Sequence, residues 1–196
     1  MHPDPANPPH TERASRRSIP RRTAGGFTFL ELLVALAIGG LLLTLALPGY
    51  HTAIADLELR DRVTALTNAL AFARGEALKR GARVDVCPSA DGAHCADDGR
   101  WERGWITFAD LDGDGDRGDD EPVLRVEPAS QPRISVRGNR PVRDYVSYTG
   151  FGHTRMANGA LQMGTFTICR AGRNAVEVVL ANGGRVRVAR TAVGCP

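Results

Sequence analysis

The segment FTFLELLVALAIGGLLLTLAL, Phe27 to Leu47, constrains this chain more than any other stretch. Its only ionisable residue is Glu31. At 1.5 Å per residue, a helix of that length spans roughly 30 Å, the thickness of a bilayer's hydrocarbon core. An ionised carboxylate in such a span is costly unless it reaches the headgroups or finds a cation. The chain therefore predicts a membrane-embedded helix with one acid that needs explaining.

Ahead of the run, residues 1–26 carry Arg13, Arg16, Arg17, Arg21 and Arg22 among prolines and small polar residues. That composition predicts a disordered basic leader held on the cytoplasmic side. No A-x-A site follows the run before Leu47-Pro48-Gly49-Tyr50, so cleavage behind it, as in an ordinary secretory signal, is not expected.

With the leader inside, everything behind the run lies outside the cytoplasm, where disulfides persist. Cys87, Cys95, Cys169 and Cys195 all fall there. Four cysteines allow three pairings. Order along the chain favours Cys87–Cys95 and Cys169–Cys195, because each pair closes a local loop. Residues 81–196 suffice for one globular head and not for two. The charge is unevenly spread: residues 27–121 hold 9 Lys/Arg against 17 Asp/Glu (net −8), and residues 122–196 hold 11 against 3 (net +8). The C-terminal part is the candidate surface for an acidic partner.

Beyond Pro48 the pattern becomes amphipathic. Ile54, Leu57, Val63, Leu66, Leu70, Ala73 and Ala77 recur near helical spacing, with Asp56, Arg60, Asp61 and Arg74 between them. One helix is expected over 27–80, membrane-embedded across 27–47, bent at Pro48 and ended near Gly81. Eight short segments follow: RVDVC, GWITFAD, PVLRVE, RISVR, DYVSYTG, GTFTICR, AVEVVLA and GRVRVAR. They are rich in β-branched and aromatic residues and separated by Gly, Pro, Asn or Asp. Asn182-Gly183 between the last two is a hairpin signal. The expected class is α+β, a long N-terminal helix packed on antiparallel β-sheet.

Gly26-Phe27, Glu31 five residues into the chain that begins at Phe27, the aliphatic run and Pro48 together resemble the N-terminal signal of type IV pilins and pseudopilins. The resemblance implies that a prepilin peptidase cuts after Gly26 and methylates the new terminus at Phe27. It implies that Glu31 serves assembly. In a bundle of parallel helices, the free amino terminus of a neighbour supplies the cation a buried carboxylate needs, which would set the axial register between subunits. The competing reading is an ordinary anchor with an acid near the headgroups.

The head adds to this resemblance. FARGEALKRGARVDVCPSADG, WERGWITFAD, a Gly/Asp-rich hairpin and GTFTICRAGR through VEVVLANGGRVRV with a terminal Cys are similar to the GspH/FimT group of minor pilins and pseudopilins. The implied fold is pilin-like. The implied location is the inner membrane, single-pass with a periplasmic head, and then a pilus or pseudopilus. The implied partners are other pilins or pseudopilins and the prepilin peptidase.

Some members of that group bind DNA during natural transformation through a G-R-x-R motif, which Gly184-Arg185-Val186-Arg187 matches. Strand alternation places Arg185 and Arg187 on one face and Arg190 on the other or in the following loop. Two guanidinia about 7 Å apart can meet successive phosphates of double-stranded DNA, and Gly183-Gly184 would let backbone approach closely. A Cys169–Cys195 bridge would bring Arg170 and Arg173 near as well. The expectation is a minor pilin, in or at the tip of a pilus, that takes up DNA. The alternative is a GspH-like pseudopilin of type II secretion with a structural role and no nucleic acid.

Asp110, Asp112, Asp114, Gly115, Asp116 and Glu121 fit D-x-D-x-D-G-x₅-E, the pattern of a twelve-residue calcium loop. Strands rather than helices flank it, so an Asp-rich hairpin tip without a metal is the favoured expectation. His94 beside Cys95 lacks the second Cys-His pair that zinc needs, which favours a small disulfide loop and no cofactor. Trp101 and Trp105 are expected in the core. No nucleophile motif, phosphate loop or paired catalytic carboxylates appear, so no enzyme is expected.

Overall fold

The computed structural model describes residues 26–195, with side chains at all of them except 45–49 and 51. Residues 1–25 of the expected leader 1–26 and the side chain of Pro48 lie outside the described residues. The helix α1 spans Phe29–Arg80. The chain divides into two compact units, residues 1–45 and 46–196, each described by itself.

In the first unit, Thr28 starts the helix. Its Oγ1 accepts the Glu31 N–H at 3.2 Å, and its carbonyl accepts the Leu32 N–H at 3.2 Å. Thr28 and Glu31 have the Thr-x-x-Glu spacing of a capping box, and the acid sits in the first turn, where the helix dipole favours negative charge. Phe29, Leu30, Leu33, Val34, Leu36 and Leu41 are all exposed. A helix apolar on every side has to be covered by lipid or by other helices. Among the described residues, no helix is long and apolar enough to cross a membrane.

In the second unit, α1 buries one stripe: Leu59, Val63, Leu66, Leu70, Ala73 and Ala77. These follow a four-three-four spacing that holds to one face. Leu57, expected in the stripe, is 60% exposed, because it lies about half a turn away from Leu59. Gly81 ends the helix with φ +64°, a left-handed conformation that glycine adopts without strain.

All eight expected strands form: β1 Val84–Pro88, β2 Trp105–Ala109, β3 Val123–Glu127, β4 Ile134–Gly138, β5 Val146–Tyr148, β6 Gly164–Arg170, β7 Asn174–Leu180 and β8 Val186–Gly194. They make two four-stranded antiparallel sheets, ordered β3-β2-β1-β5 and β4-β6-β7-β8. One core unites α1 with Val84, Val86, Trp105 and Tyr148 of the first sheet and Val136, Phe166, Ile168 and Val178 of the second. Trp101 and Trp105 are fully inside it, Trp101 edge-on to Phe166 at 5.0 Å. The far face of the first sheet is covered too, with Cys87, Ile106 and Phe108 forming a smaller cluster under the loops. This explains why β1 and β2 are buried at every residue rather than alternately.

Arg62 pins the helix to the first sheet. Its guanidinium donates to the Pro128 carbonyl at 3.1 Å and the Trp101 carbonyl at 2.9 Å, and lies 3.8 Å from the Trp105 ring centroid. Burial lowers its pKa to about 10, against the opposing pull of Glu127, Asp61 and Glu102, so it remains a cation at neutral pH. Each carbonyl left unpartnered by its loss would cost about 1–3 kcal/mol.

Candidate nucleic-acid interface

The β7–β8 hairpin carries the expected arginines. Its turn is closed by the Gly184 N–H to the Ala181 carbonyl at 2.8 Å and the Ala181 N–H to the Arg185 carbonyl at 2.9 Å. The positive φ falls at Gly184 (+74°) and not at Asn182 or Gly183. The turn is thus a three-residue loop ending in a left-handed glycine rather than the two-residue Asn-Gly type.

Gly184 is buried. A Cβ at this position would lie 2.1 Å from the Gly152 carbonyl oxygen. The close approach expected of Gly183-Gly184 is therefore made by Gly184 to the chain's own 150–154 loop, which is fastened to the turn by the Thr154 N–H on the Asn182 carbonyl at 3.1 Å. The glycine of the motif shapes the hairpin and leaves contact with a ligand to its neighbours.

Arg185 and Arg187 project on one side of the hairpin and are exposed. Register fixes their face: Val186 opposes Leu180 and Val188 opposes Val178 on the core side, while Arg187 opposes Val179 on the outer side. Neither arginine forms an ion pair or side-chain hydrogen bond with any described residue. Glu177, opposite Ala189, lies diagonal to Arg187 on that face. Arg190 opposes Val176 on the helix side, as alternation predicts. It lines a groove with Asp56, Arg60, Val63, Arg173 and Val176.

Arg170 and Arg173 do not join this surface. Arg170 pairs with Glu58 at 2.9 Å and its side chain is only 11% exposed. Arg173 pairs with Asp56 at 2.9 Å and donates to the Thr52 carbonyl at 2.7 Å. The Cys169–Cys195 disulfide is present, as is Cys87–Cys95. It ties the chain end to the β6–β7 turn, where both arginines turn back onto α1. The local sequence around the hairpin shows these positive charges but carries no signal for the acids that pair with them, on a helix more than a hundred residues away.

Phe151, 85% exposed, was not anticipated. It stands beside Gly152, the residue that packs on Gly184. Its flanking glycines, Gly150 and Gly152, are the one hint the sequence holds.

In the loop that follows β2, one carboxylate oxygen from each of Asp110, Asp112 and Asp114 lies within 4.8 Å of the others. Asp116 and Glu121 are not part of this group. Glu121 is buried and accepts the Leu111 N–H at 2.5 Å and the Gly118 N–H at 2.9 Å, while Asp116 Oδ1 accepts the Arg117 N–H. His94 pairs with Asp91 at 2.9 Å. Hydrogen bonds from His94 and Ala93 hold the Asp91 carboxyl well below the usual range.

Two family models match the sequence: "Type II transport protein GspH" over residues 62–189 and "Prokaryotic N-terminal methylation motif" over residues 21–47. No curated protein sequence matches the chain. Among solved structures, the type IV minor pilin FimU of Pseudomonas aeruginosa aligns in two crystal forms. One has a TM-score of 0.55 at 17% identity, covering 70% of this chain and 95% of that one. The other has a TM-score of 0.52 at 16% identity, covering 68% and 97%. The minor pseudopilin EpsH of Vibrio cholerae aligns with a TM-score of 0.46 at 11% identity, covering 69% and 99%. The two FimU matches establish a shared fold.

Proposed function

Since the chain belongs to the GspH family and carries the N-terminal methylation motif, we propose that it is a minor type IV pilin whose head binds DNA through Arg185 and Arg187. Processing would remove residues 1–26 and leave Phe27 as the methylated terminus, with Glu31 free to meet the amino terminus of an adjacent subunit. The precursor would rest in the inner membrane with its head in the periplasm. Assembly with other pilins then covers the exposed apolar helix.

The observation that carries the DNA reading is the pair of exposed, unpartnered guanidinia of Arg185 and Arg187 on the β7–β8 hairpin, beside a turn where Gly184 packs closely on Gly152. Such cations meet phosphates without reading bases, so binding should be sequence-independent and should weaken with salt. The exposed Phe151 ring adds an apolar surface at the same end. The experiment is duplex binding by the full chain in detergent, compared with Arg185→Ala/Arg187→Ala.

One observation favours a second reading. With Arg170 and Arg173 engaged by α1, the hairpin offers fewer cations than the sequence promised. A GspH-like pseudopilin acting only as a structural subunit needs no free arginines, and in that case the full chain will not retain DNA even at low salt.

A further inference from the structure

We propose, building on the DNA reading above, that Phe151 stacks on an unpaired base, so that single-stranded or frayed DNA is the form this head holds most tightly. The ring is 85% exposed, and among the described residues of the second unit no large apolar side chain is more so.

A packed frame holds the ring out. Phe151 is the third residue of a turn closed by the Gly152 N–H on the Thr149 carbonyl at 2.8 Å, and the Thr149 N–H meets the His153 carbonyl at 2.9 Å. The glycines on either side are in close contact with other elements. A Cβ on Gly150 would lie 2.4 Å from the Gly81 carbonyl carbon, at the end of α1, and one on Gly152 would lie 3.1 Å from Leu78 Cδ2. Arg74 Nε donates to the Gly152 carbonyl at 3.0 Å, the same oxygen that approaches Gly184. The backbone at Phe151 is thus gripped by α1 on one side and by the β7–β8 turn on the other. An aromatic ring placed in advance loses little freedom when it meets a flat partner.

The surroundings are cationic. Gly152 touches Gly184, and Arg185 is the next residue; Gly150 touches Gly81, which follows Lys79 and Arg80 in the last turn of α1. Segments 74–82, 149–154 and 181–187 together hold five Lys/Arg (Arg74, Lys79, Arg80, Arg185 and Arg187) and one acid, Glu76. Glu76 is already engaged by Lys79 at 3.4 Å and Arg80 at 2.9 Å.

The core of a protein–protein contact is depleted of charge, whereas an aromatic ring with cations on both sides suits a polyanion that also carries flat bases. Guanidinia take the phosphates while a base covers the ring. In an intact duplex the base faces are covered by their neighbours, so only the backbone is offered to Arg185 and Arg187. A single strand or a frayed end offers a base face as well.

The test measures binding of the full chain in detergent to an oligothymidylate strand and to a blunt, G·C-clamped duplex of equal length, at one salt concentration. Cation contacts alone favour the duplex, whose charge density is higher. Phe151→Ala should lower the strand-to-duplex affinity ratio by about 5- to 30-fold, the worth of one stacked base, and should melt like the parent because the ring is exposed. Phe151→Trp should keep the ratio, and its added emission should be quenched more by the strand than by the duplex; Trp101 and Trp105 are fully buried and do not report on binding. Arg185→Ala/Arg187→Ala should instead weaken both ligands. A ratio unchanged by Phe151→Ala, with both ligands still bound, would overturn the stacking role and leave the DNA reading standing. Filament incorporation lost in Phe151→Ala with strand affinity unchanged would assign the ring to a neighbouring pilin and overturn it equally. A parent that binds neither strand nor duplex at low salt would remove the DNA reading and this inference together.

Discussion

The Arg173 guanidinium holds the Asp56 carboxylate at 2.9 Å and the Thr52 carbonyl at 2.7 Å, fastening the β6–β7 turn to helix α1. Arg170 makes the parallel contact to Glu58. Two arginines from the +8 half of the chain thereby neutralise acids from the −8 half. The charge asymmetry along the sequence is partly spent inside the fold, and the free positive charge is narrower than composition suggests.

Arg173→Ala should therefore behave as a stability variant. A double-mutant cycle with Asp56→Ala should give a coupling of about 0.5–1 kcal/mol by denaturant melts, since the pair is partly exposed. Duplex affinity should stay within about twofold of the parent. A loss of affinity equal to that of Arg185→Ala would show that Arg173 leaves Asp56 to meet DNA.

Gly184→Ala tests whether the motif's glycine serves the fold. The new Cβ would meet the Gly152 carbonyl oxygen at 2.1 Å, and φ is +74°. Both the clash and the backbone strain oppose it, so a destabilisation of about 2–4 kcal/mol is expected. Thermal melts measure it directly. A variant as stable as the parent would show that the turn does not pack on the 150–154 loop.

Much of this arrangement is legible in the sequence, and the parts that are not share a cause. Eight strand segments, the helix end at Gly81, both disulfides and the burial of Trp101 and Trp105 follow from local pattern and spacing. Leu57 departs from its expected place in the stripe: at the N-terminal end Leu59 is the residue that packs, and Leu57 lies about half a turn away from it. The division into two sheets, the partners of Arg170 and Arg173, and the contact of Gly184 with Gly152 are long-range relationships. Local periodicity carries no record of them.

Glu31 keeps two roles apart. Within one chain it occupies the first turn behind Thr28, so Glu31→Ala should cost the helix start only about 0.5–1 kcal/mol. In the proposed filament it also meets a neighbour's amino terminus, so Glu31→Ala should insert and be cut normally while entering filaments poorly. Sheared-filament immunoblots against membrane fractions separate the two. Normal incorporation of Glu31→Ala would reduce the acid to a helix-capping residue.

The central claim rests on Arg185 and Arg187, and the salt dependence of duplex binding tests it most directly. The parent should bind at low salt, with log affinity falling linearly against log salt concentration. Arg185→Ala/Arg187→Ala, melting like the parent, should bind more weakly and lower that slope by about 1–2, as expected for two lost phosphate contacts. A parent that does not bind duplex at low salt, or a double variant with unchanged affinity and slope, would contradict the account and leave a structural pilin subunit.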